Sequence, residues 1–591
     1  VRKKTKEPRR IAVCDCETDP FAYGREPRPF LWGFTDGKVY RDFTSTEELA
    51  KHVAQFDGIV YAHNGGKFDF HFLFDYITPH TEILIINGRV AKAMIGKAEL
   101  RDSYCILPIA LAEYQKTVID YTKFEAAVRH LHMAEIQSYL RDDCNFLLEL
   151  VVQFVAEYGD GITLASSAMR YWKGMGNDVP ESDKRYYDIM SPWYAGGRVQ
   201  CFAAGEVKKS FNLVDINSAY PYAMMHAHPY SCGYDVIAKP TDKTIKGASL
   251  YRIVGIAKGS LPYRDSDGAL TFPEDDEERE YHCTGWELKA AVETKTVKVL
   301  EITERIDFGE LKDFRGYIRH FYELKKNSKK GTPVYIFAKL FMNSLYGKFA
   351  ADPSSYKNFA IVPPQELPEW TDGKYKAEGI GKLCGPWGYA GNLGQWAMVT
   401  NSKICMRDDG SDEQNRSKFY NVATGASITG FVRAYLWRHI CAVRKAGGFV
   451  LYCDTDSLAF TFPAGEKIPF GLSKELGDWT HEGTFDYAAI GGKKLYAFRM
   501  DDATWDAHRK PDSEPDDRWK TACKGVSLTP AEIVKIAKGG EVTHKREAPS
   551  MRVGATGSVV NFISRTVRKT AGLTADAKKA RKRACTKKAT S

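Results

Sequence analysis

The stretch Phe449-Val-Leu-Tyr-Cys-Asp-Thr-Asp-Ser-Leu-Ala-Phe-Thr-Phe462 constrains the fold more than any other part of the chain. Two strongly apolar runs flank a short polar centre, which predicts a hairpin of two buried strands turning at Asp454-Thr-Asp456. In extended chain, residues two apart point to one side, so both carboxylates are expected to face the same way. Holding two carboxylates ionised between apolar strands is costly unless a cation neutralises them. A divalent metal does so, and Mg²⁺ favours one or two carboxylates completed by substrate phosphates. A third acid, Asp215, sits near the end of another apolar strand, Phe211-Asn-Leu-Val-Asp-Ile216, and is followed by Asn217-Ser-Ala-Tyr-Pro221. Acids at the ends of neighbouring strands can assemble a two-metal site that clamps attacking and leaving oxygens in phosphoryl transfer. Taken alone, an Asp-x-Asp is as often a solvated turn.

A second group of acids lies in the first 150 residues. Ile11-Ala-Val-Cys-Asp-Cys16 and Gly58-Ile-Val-Tyr-Ala-His-Asn64 read as strands, with Asp15 and Glu17 alternating onto one face of the first. Asp69 follows His63-Asn64-Gly-Gly-Lys-Phe68, where glycines permit a tight strand-to-helix turn. A helical period runs from about Ala134 through Phe154, with Gly159 as its stop, and sets Tyr139 one turn before Asp143. Four acids and a tyrosine fit two-metal phosphodiester hydrolysis. Further on, residues 305–350 read as mainly helical, 351–419 as an irregular insertion with short strands, and 425–446 as a helix. Within Ala338–Phe349, Lys339, Asn343 and Tyr346 share one helical face, a cation, an amide and an aromatic in line. Each fragment by itself also fits an ordinary amphipathic or solvated face.

With 591 residues the chain exceeds the ~250–300 at which single cores stop growing, so two or more domains are expected. The formal net charge of +9 is unevenly placed: residues 1–10 carry +5 and residues 565–591 carry +9, leaving −5 between them. The basic balance therefore belongs to the ends, and any positive channel in the body has to be local, built from lysines such as Lys325, Lys326, Lys329, Lys330, Lys339 and Lys348. The tail is expected to be disordered and to serve as a sequence-independent phosphate tether. Thirteen scattered cysteines without a C-x-x-C point to reduced thiols rather than disulfides or structural zinc. No signal peptide, membrane span or P-loop motif is expected, the last arguing against a helicase-type motor.

Taken in order, these segments resemble the protein-primed family B DNA polymerases of the phi29-like phage branch, over about residues 11–565. Asp15-Cys-Glu17, Asn64-Gly-Gly-Lys-Phe68-Asp69 and Tyr139-Leu-Arg-Asp-Asp143 resemble the three exonuclease motifs. Tyr194-Ala-Gly196-Gly197 is similar to the Y-x-G-G segment that links the two activities. Asp215-Ile-Asn-Ser-Ala-Tyr220-Pro resembles palm motif A, Lys339-Leu-Phe-Met-Asn343-Ser-Leu-Tyr346-Gly347 motif B, and Tyr452-Cys-Asp454-Thr-Asp456-Ser motif C. Lys494-Leu-Tyr496 is similar to the K-x-Y motif.

The resemblance implies an α+β multidomain fold: an RNase H-like 3′→5′ exonuclease domain, then a right hand of palm, fingers and thumb carrying two insertions. The implied boundaries are 1–158 for the exonuclease, 159–226 for the linker and first palm segment, and 227–314 for a first insertion that docks a priming protein. Then come 315–350 for the fingers, 351–419 for a second insertion of the processivity and strand-displacement type, 420–522 for the second palm segment, 523–565 for the thumb and 566–591 for the basic tail. The distance from Asp215 to Lys339 leaves ~100 residues beyond one ordinary connection, as the first insertion requires. By resemblance, Asp215 and Asp456 hold two Mg²⁺ or Mn²⁺ ions with Asp454 beside them. Lys339 contacts the nucleotide phosphates, Tyr220 stacks under the sugar and excludes a 2′-hydroxyl, and Asn343 and Tyr346 shape the nascent pair. Lys494 and Tyr496 hold the primer end, and Tyr194, Gly196 and Gly197 contact DNA. On the exonuclease side Asp15, Glu17, Asp69 and Asp143 hold two ions, Tyr139 orients the water, Lys123 is the auxiliary lysine and Asn64 holds the frayed strand. Ser103-Tyr104 stands where the family has Ser/Thr-Leu.

The implied partners are primer-template DNA, deoxynucleotides and a terminal priming protein, with which the chain forms a heterodimer when it is not a monomer. The implied setting is the cytoplasm of a host cell, and no membrane is involved. The competing readings are a family B polymerase using a nucleic-acid primer or none, a catalytically silent DNA-binding accessory, and an exonuclease alone.

Overall fold

The computed structural model describes residues 9–568, other than 116, 243, 353–355, 373–386, 403–404, 407–411, 414–420, 464–465 and 512. Of the basic tail expected at 566–591, residues 566–568 end a strand, Ser564–Arg568, paired with Glu541–Lys545; 569–591 lie outside the described residues, as do 1–8.

The first architectural unit is a ten-stranded sheet. From one edge its strands are Gly388–Leu393, Trp396–Ser402, Lys357–Val362, Thr81–Ile86, Arg89–Ile95, Ala98–Asp102, Gly58–Ala62, Arg10–Thr18, Pro29–Thr35 and Tyr40–Phe43. Gly58–Ala62 runs parallel to both its neighbours and is buried along its whole length, the pattern of a strand covered on two faces. One cover is the helix Arg129–Tyr158, whose buried residues Ile136, Tyr139, Leu140, Asp143, Leu147, Leu150, Val151, Phe154 and Tyr158 repeat at helical period. It begins five residues before the expected Ala134 and stops at Gly159, which takes φ 76. The segment 351–419, expected as an irregular insertion with short strands, contributes three strands to this sheet through the pairing of Phe359–Ile361 with Thr81–Ile83.

An eight-stranded antiparallel sheet forms the second unit. Along its path lie Trp519–Cys523, Leu495–Met500, Trp479–Gly492, Phe211–Ile216, Ser457–Thr461, Phe449–Asp454 and Val199–Cys201, with Gly205–Val207 on the side of Trp479–Gly492. The hairpin read from residues 449–462 lies between the central strand Phe211–Ile216 and the edge strand Val199–Cys201, with the helix Val422–Lys445 packed against it. That helix is buried continuously from Val422 to Ala434, and its buried Thr424, Ser427, Thr429 and Arg433 side chains are hydrogen-bonded inside.

The helices Arg315–Asn327 and Pro333–Phe349 pack side by side, and the second shares a core with the first unit: Tyr158 lies 4.1 Å from Phe341 between ring centroids and Phe154 5.5 Å from Phe337. Residues 305–308, expected to be helical, belong instead to the strand Val297–Phe308. Its Val297-Lys-Val299 alternation and its β-branched Val297, Val299, Ile302, Thr303 and Ile306 are strand signals. This strand sits in a four-stranded sheet with Tyr234–Ala238, Leu250–Ala257 and Arg279–Thr284, which the helix Gly285–Glu293 anchors to Val422–Lys445. The anchor is a buried ion pair, Arg433 Nε to Glu287 Oε1 at 2.7 Å. The chain's last described part packs the helix Pro530–Lys538 against the second sheet and extends a hairpin, Ser550–Gly554 with Gly557–Asn561. The described cysteines are free thiols, and among the described residues no helix is long and apolar enough to cross a membrane.

Candidate active sites

Asp454 pairs with Ser457, so the hairpin turns through only two residues, Thr455 and Asp456. Thr455 takes φ 60, a conformation costing a β-branched residue about 1–2 kcal/mol. Three bonds impose it: Asp456 N–H donates to Asp454 O (2.6 Å), Thr455 N–H to Arg198 O (2.7 Å), and Ile216 N–H to Asp456 O (2.8 Å). The two acids therefore come together through a pinned turn and not, as expected, through alternation along an extended strand. The third bond joins the turn to the strand of Asp215, which itself pairs with Ser457.

Burial pushes Asp215 up to about 7, helped by the nearby charges of Asp456 and Glu482 and opposed by Lys520. Burial also pushes Asp456 up to about 6; Asp454 and Glu482 add to it, while its own backbone N–H and Lys494 work against it. Asp454 differs: both its oxygens are held by the Lys494 ammonium, at 2.7 and 2.9 Å. Lys494, expected at the primer end, is thus engaged inside the acid cluster, and its N–H donates to the Tyr452 hydroxyl (2.9 Å). Tyr496 packs on Tyr452 and stacks on Phe498 at 4.2 Å.

Glu482 escaped the sequence reading. Leu213 faces Gly483 and Val214 faces His481, so Glu482 is the extra residue of a bulge in the neighbouring strand. Bulges re-aim side chains beside active sites, and here the re-aimed carboxylate joins Asp215 and Asp456 while pairing with Lys520. The available signal was a glycine at φ 140 inside an otherwise strand-like run.

Beside the acids, the rings of Tyr220 and Tyr346 stack at 4.2 Å, inclined by 19°. They come from the short helix Ala219–Met224, immediately after Asp215, and from Pro333–Phe349. Asn343 donates from Nδ2 to Lys339 O (2.8 Å), and the exposed Lys339 stands close enough to Lys325 to help burial lower the Lys325 ammonium. Lys339 and Lys330 also line a cleft of about 340 Å³ between this helical pair and Ile109 and Glu113. Lys330 and Lys339 outnumber the one acid of the cleft, Glu113, so an anionic group such as a polyphosphate suits it. Of the other lysines expected to form a local basic channel, Lys326 is paired with Glu475 at 3.5 Å and Lys348 lies over Tyr356. In the linker, Gly197 has no room for a side chain, since a Cβ would strike Thr455 of the hairpin turn. The Gly196 carbonyl accepts from Arg433 (2.7 Å) and the Tyr194 carbonyl from Arg264 (3.0 Å).

The second acid group assembles from three elements. Asp15 and Glu17 share a face of Arg10–Thr18, Asp143 comes from the helix Arg129–Tyr158, and Asp69 opens the 3₁₀ helix Asp69–Tyr76. The turn before it has Asn64 at φ 61 and two glycines; at Gly66 a Cβ would meet the Val90 carbonyl and the Asp102 carboxylate. Burial raises Asp15 well above the carboxylate range, and Asp69, Glu17 and Asp143 raise it further, in that order. Burial takes Asp69 to about 6, opposed by bonds from Cys16 and from its own backbone, and its Oδ1 is buried without a hydrogen-bond partner. Tyr139 lies one turn before Asp143; burial raises its hydroxyl, as do Tyr121, Asp143 and Glu17. The Tyr121 hydroxyl, 3.1 Å from that of Tyr139, is a further member that the sequence reading missed. Lys123, expected to be auxiliary to this group, binds Glu135 at 2.6 and 2.9 Å instead. Tyr104 lies under Arg89, whose guanidinium is 4.4 Å from the ring centroid.

Both clusters fit divalent cations, because each holds desolvated carboxylates raised by mutual repulsion, and one has an orphaned carboxylate oxygen. Among the described residues no three His, Cys, Asp or Glu side chains are grouped so as to hold a metal ion by themselves. Mg²⁺ needs only one or two carboxylates when substrate phosphates complete its shell.

Residues 112–379 match the family of DNA polymerase type B, organellar and viral. The chain is 34% identical to the DNA-directed DNA polymerase of Enterobacteria phage PRD1, over 96% of this chain and 100% of that one. It is 23% identical to the DNA polymerase of Bacillus phage phi29, over 88% and 92%. Among solved structures, phi29 DNA polymerase complexed with primer-template DNA and incoming nucleotides superposes with a TM-score of 0.69 at 19% identity, covering 95% of this chain and 100% of that one.

Proposed function

The chain belongs to the phage-type family B DNA polymerases, and from that premise we propose that it carries out protein-primed, strand-displacing replication with 3′→5′ proofreading. It is a DNA-directed DNA polymerase. The observation that carries the mechanism is the pair Asp215 and Asp456, raised and pinned together at the hairpin turn beside the stacked Tyr220 and Tyr346.

Asp215 and Asp456 would hold two Mg²⁺ or Mn²⁺ ions, which when bound supply charge neutralisation and an activated attacking oxygen. The attacking group is a primer 3′-oxygen, or a Ser, Thr or Tyr hydroxyl of the priming protein. It displaces pyrophosphate from the nucleotide α-phosphate. Lys339 and Lys325 grip the triphosphate, Tyr220 closes the sugar side, and Tyr346 with Asn343 borders the new base pair. The protein's contribution is positioning and charge stabilisation. Asp15, Glu17, Asp69 and Asp143 form the excision site, with Tyr139 and Tyr121 placing the water. Residues 227–314 dock the priming protein, and the setting is the cytoplasm of a host cell.

Purified protein with Mg²⁺ and a primed template is expected to extend the primer, and Asp456→Ala to abolish extension; an active Asp456→Ala protein would overturn the site. Incubation with labelled deoxynucleotide and a candidate priming protein is expected to label that protein. Extension without such labelling favours a nucleic-acid primer.

A further inference from the structure

Asp69 of the excision site shares one short element with residues that hold two distant hairpins. The 3₁₀ helix Asp69–Tyr76 begins with Asp69. Two residues on, His71 Nδ1 lies 3.0 Å from Ser558 Oγ on the C-terminal hairpin. Near its end Asp75 takes the hairpin of Gly388–Leu393 and Trp396–Ser402. Its Oδ1 accepts the Gln395 N–H and its carbonyl accepts Gln395 Nε2, both at 2.7 Å. Gly394 is forced to be glycine, since a Cβ would fall on the Asp75 carboxylate. The two hairpins also grip each other: a Cβ on Gly391 would strike the Thr556–Gly557 backbone, and one on Gly557 would strike Asn392. Val553 N–H donates to Gly88 O (3.0 Å), completing a circuit of contacts back to the ten-stranded sheet.

A 3₁₀ helix of eight residues is poorly self-supporting, because its hydrogen-bond geometry is strained. Its place is set by what it packs against: Phe70, Leu73 and Phe74 inside, and the bonds of His71 and Asp75 outside. Asp69 is the carboxylate that depends on it, and catalytic geometry of this kind loses rate steeply with displacements of ~1 Å.

We propose that Asp75 and His71 are positioning residues for Asp69: the closed grip of the two hairpins holds the 3₁₀ helix, and parting them loosens the excision site. Excision is therefore coupled to the closed state of the circuit. The inference rests on the proposed exonuclease activity of the Asp15, Glu17, Asp69 and Asp143 cluster.

The test is degradation of a short single-stranded oligonucleotide by the full chain, titrated with Mg²⁺, alongside extension of a primed template. Asp75→Ala and Ser558→Ala are expected to raise the half-activating Mg²⁺ concentration about fivefold, within the range by which remote residues modulate a site. High Mg²⁺ restores the rate, extension is unchanged, and Asp75→Asn, which keeps an oxygen for the Gln395 N–H, behaves as the wild type. An unchanged half-activation in both alanine variants overturns the proposal. So does a parallel loss of degradation and extension with a lowered melting temperature, which makes the contact a matter of folding. A wild-type protein that degrades no single strand overturns the exonuclease reading itself, before any variant is compared.

Discussion

The Lys494 ammonium lies 2.7 and 2.9 Å from the two carboxylate oxygens of Asp454. The three acids of the polymerase cluster are thereby divided: one is neutralised by the protein, and two, Asp215 and Asp456, are left raised for a cation. Lys494→Ala leaves Asp454 uncompensated beside Asp456. About a tenfold loss of extension rate at fixed Mg²⁺ is expected, the pair being only partly buried, and Lys494→Arg should recover most of it. Single-turnover extension at several metal concentrations checks this.

Glu482 acts on the same two acids from the bulge. Glu482→Gln removes a like charge, so both should ionise more readily and the acidic limb of the extension pH–rate profile should move to lower pH. A limb that stays put denies Glu482 any influence on the cluster.

Proton and metal compete for these sites. Asp215 at about 7 and Asp456 at about 6 lie above the ordinary unfolded carboxylate value, so the metal-free fold binds more protons than the unfolded chain across that window. Their contribution to stability is complete below pH ~4 and is lost as pH rises through 6–7. Mg²⁺ should therefore raise the melting temperature more at pH 8 than at pH 6, and half-activation should require more Mg²⁺ as pH falls. Calorimetric scans with and without metal at the two pH values measure both.

The two acid clusters stand on different units, since Asp15 lies on a strand of the ten-stranded sheet and Asp69 opens the 3₁₀ helix beside it, so the proposed excision and polymerase sites should be separable. Asp15→Ala combined with Asp69→Ala should abolish degradation of single strands and leave primer extension at its wild-type rate. Retained degradation would place the hydrolytic centre elsewhere.

The features legible along the chain are those that repeat locally. The apolar runs around Asp454 and the helical period before Gly159 announce themselves within fifteen or twenty residues, and both are found. Glu482 is marked in the sequence only by the glycine that follows it, because a bulge is a property of two strands and its partner strand lies far upstream. Tyr121 is hidden for a similar reason: its relation to Tyr139 passes through a 3₁₀ turn and not along one helix face. The role expected of Lys123 comes from the family resemblance, and no local pattern foretells the contact its ammonium makes with Glu135. Residues 305–308 lie just ahead of the helix Arg315–Asn327, and continuity with it suggests helix, yet their pattern belongs to the strand Val297–Phe308.

The pairing of Phe359–Ile361 with Thr81–Ile83 bears on how the protein can be cut. A fragment ending near residue 158 keeps Asp15, Glu17, Asp69 and Asp143, yet it strips the neighbour from Thr-Glu-Ile-Leu-Ile-Ile, residues 81–86. That strand would then present a bare row of amides and carbonyls on an apolar ribbon, the template on which separate chains add to one another. Such a fragment should self-associate, and a charged residue in place of Leu84, which alternates away from the core residues Ile83 and Ile85, or residues 357–362 restored by fusion, should return it to single molecules in solution.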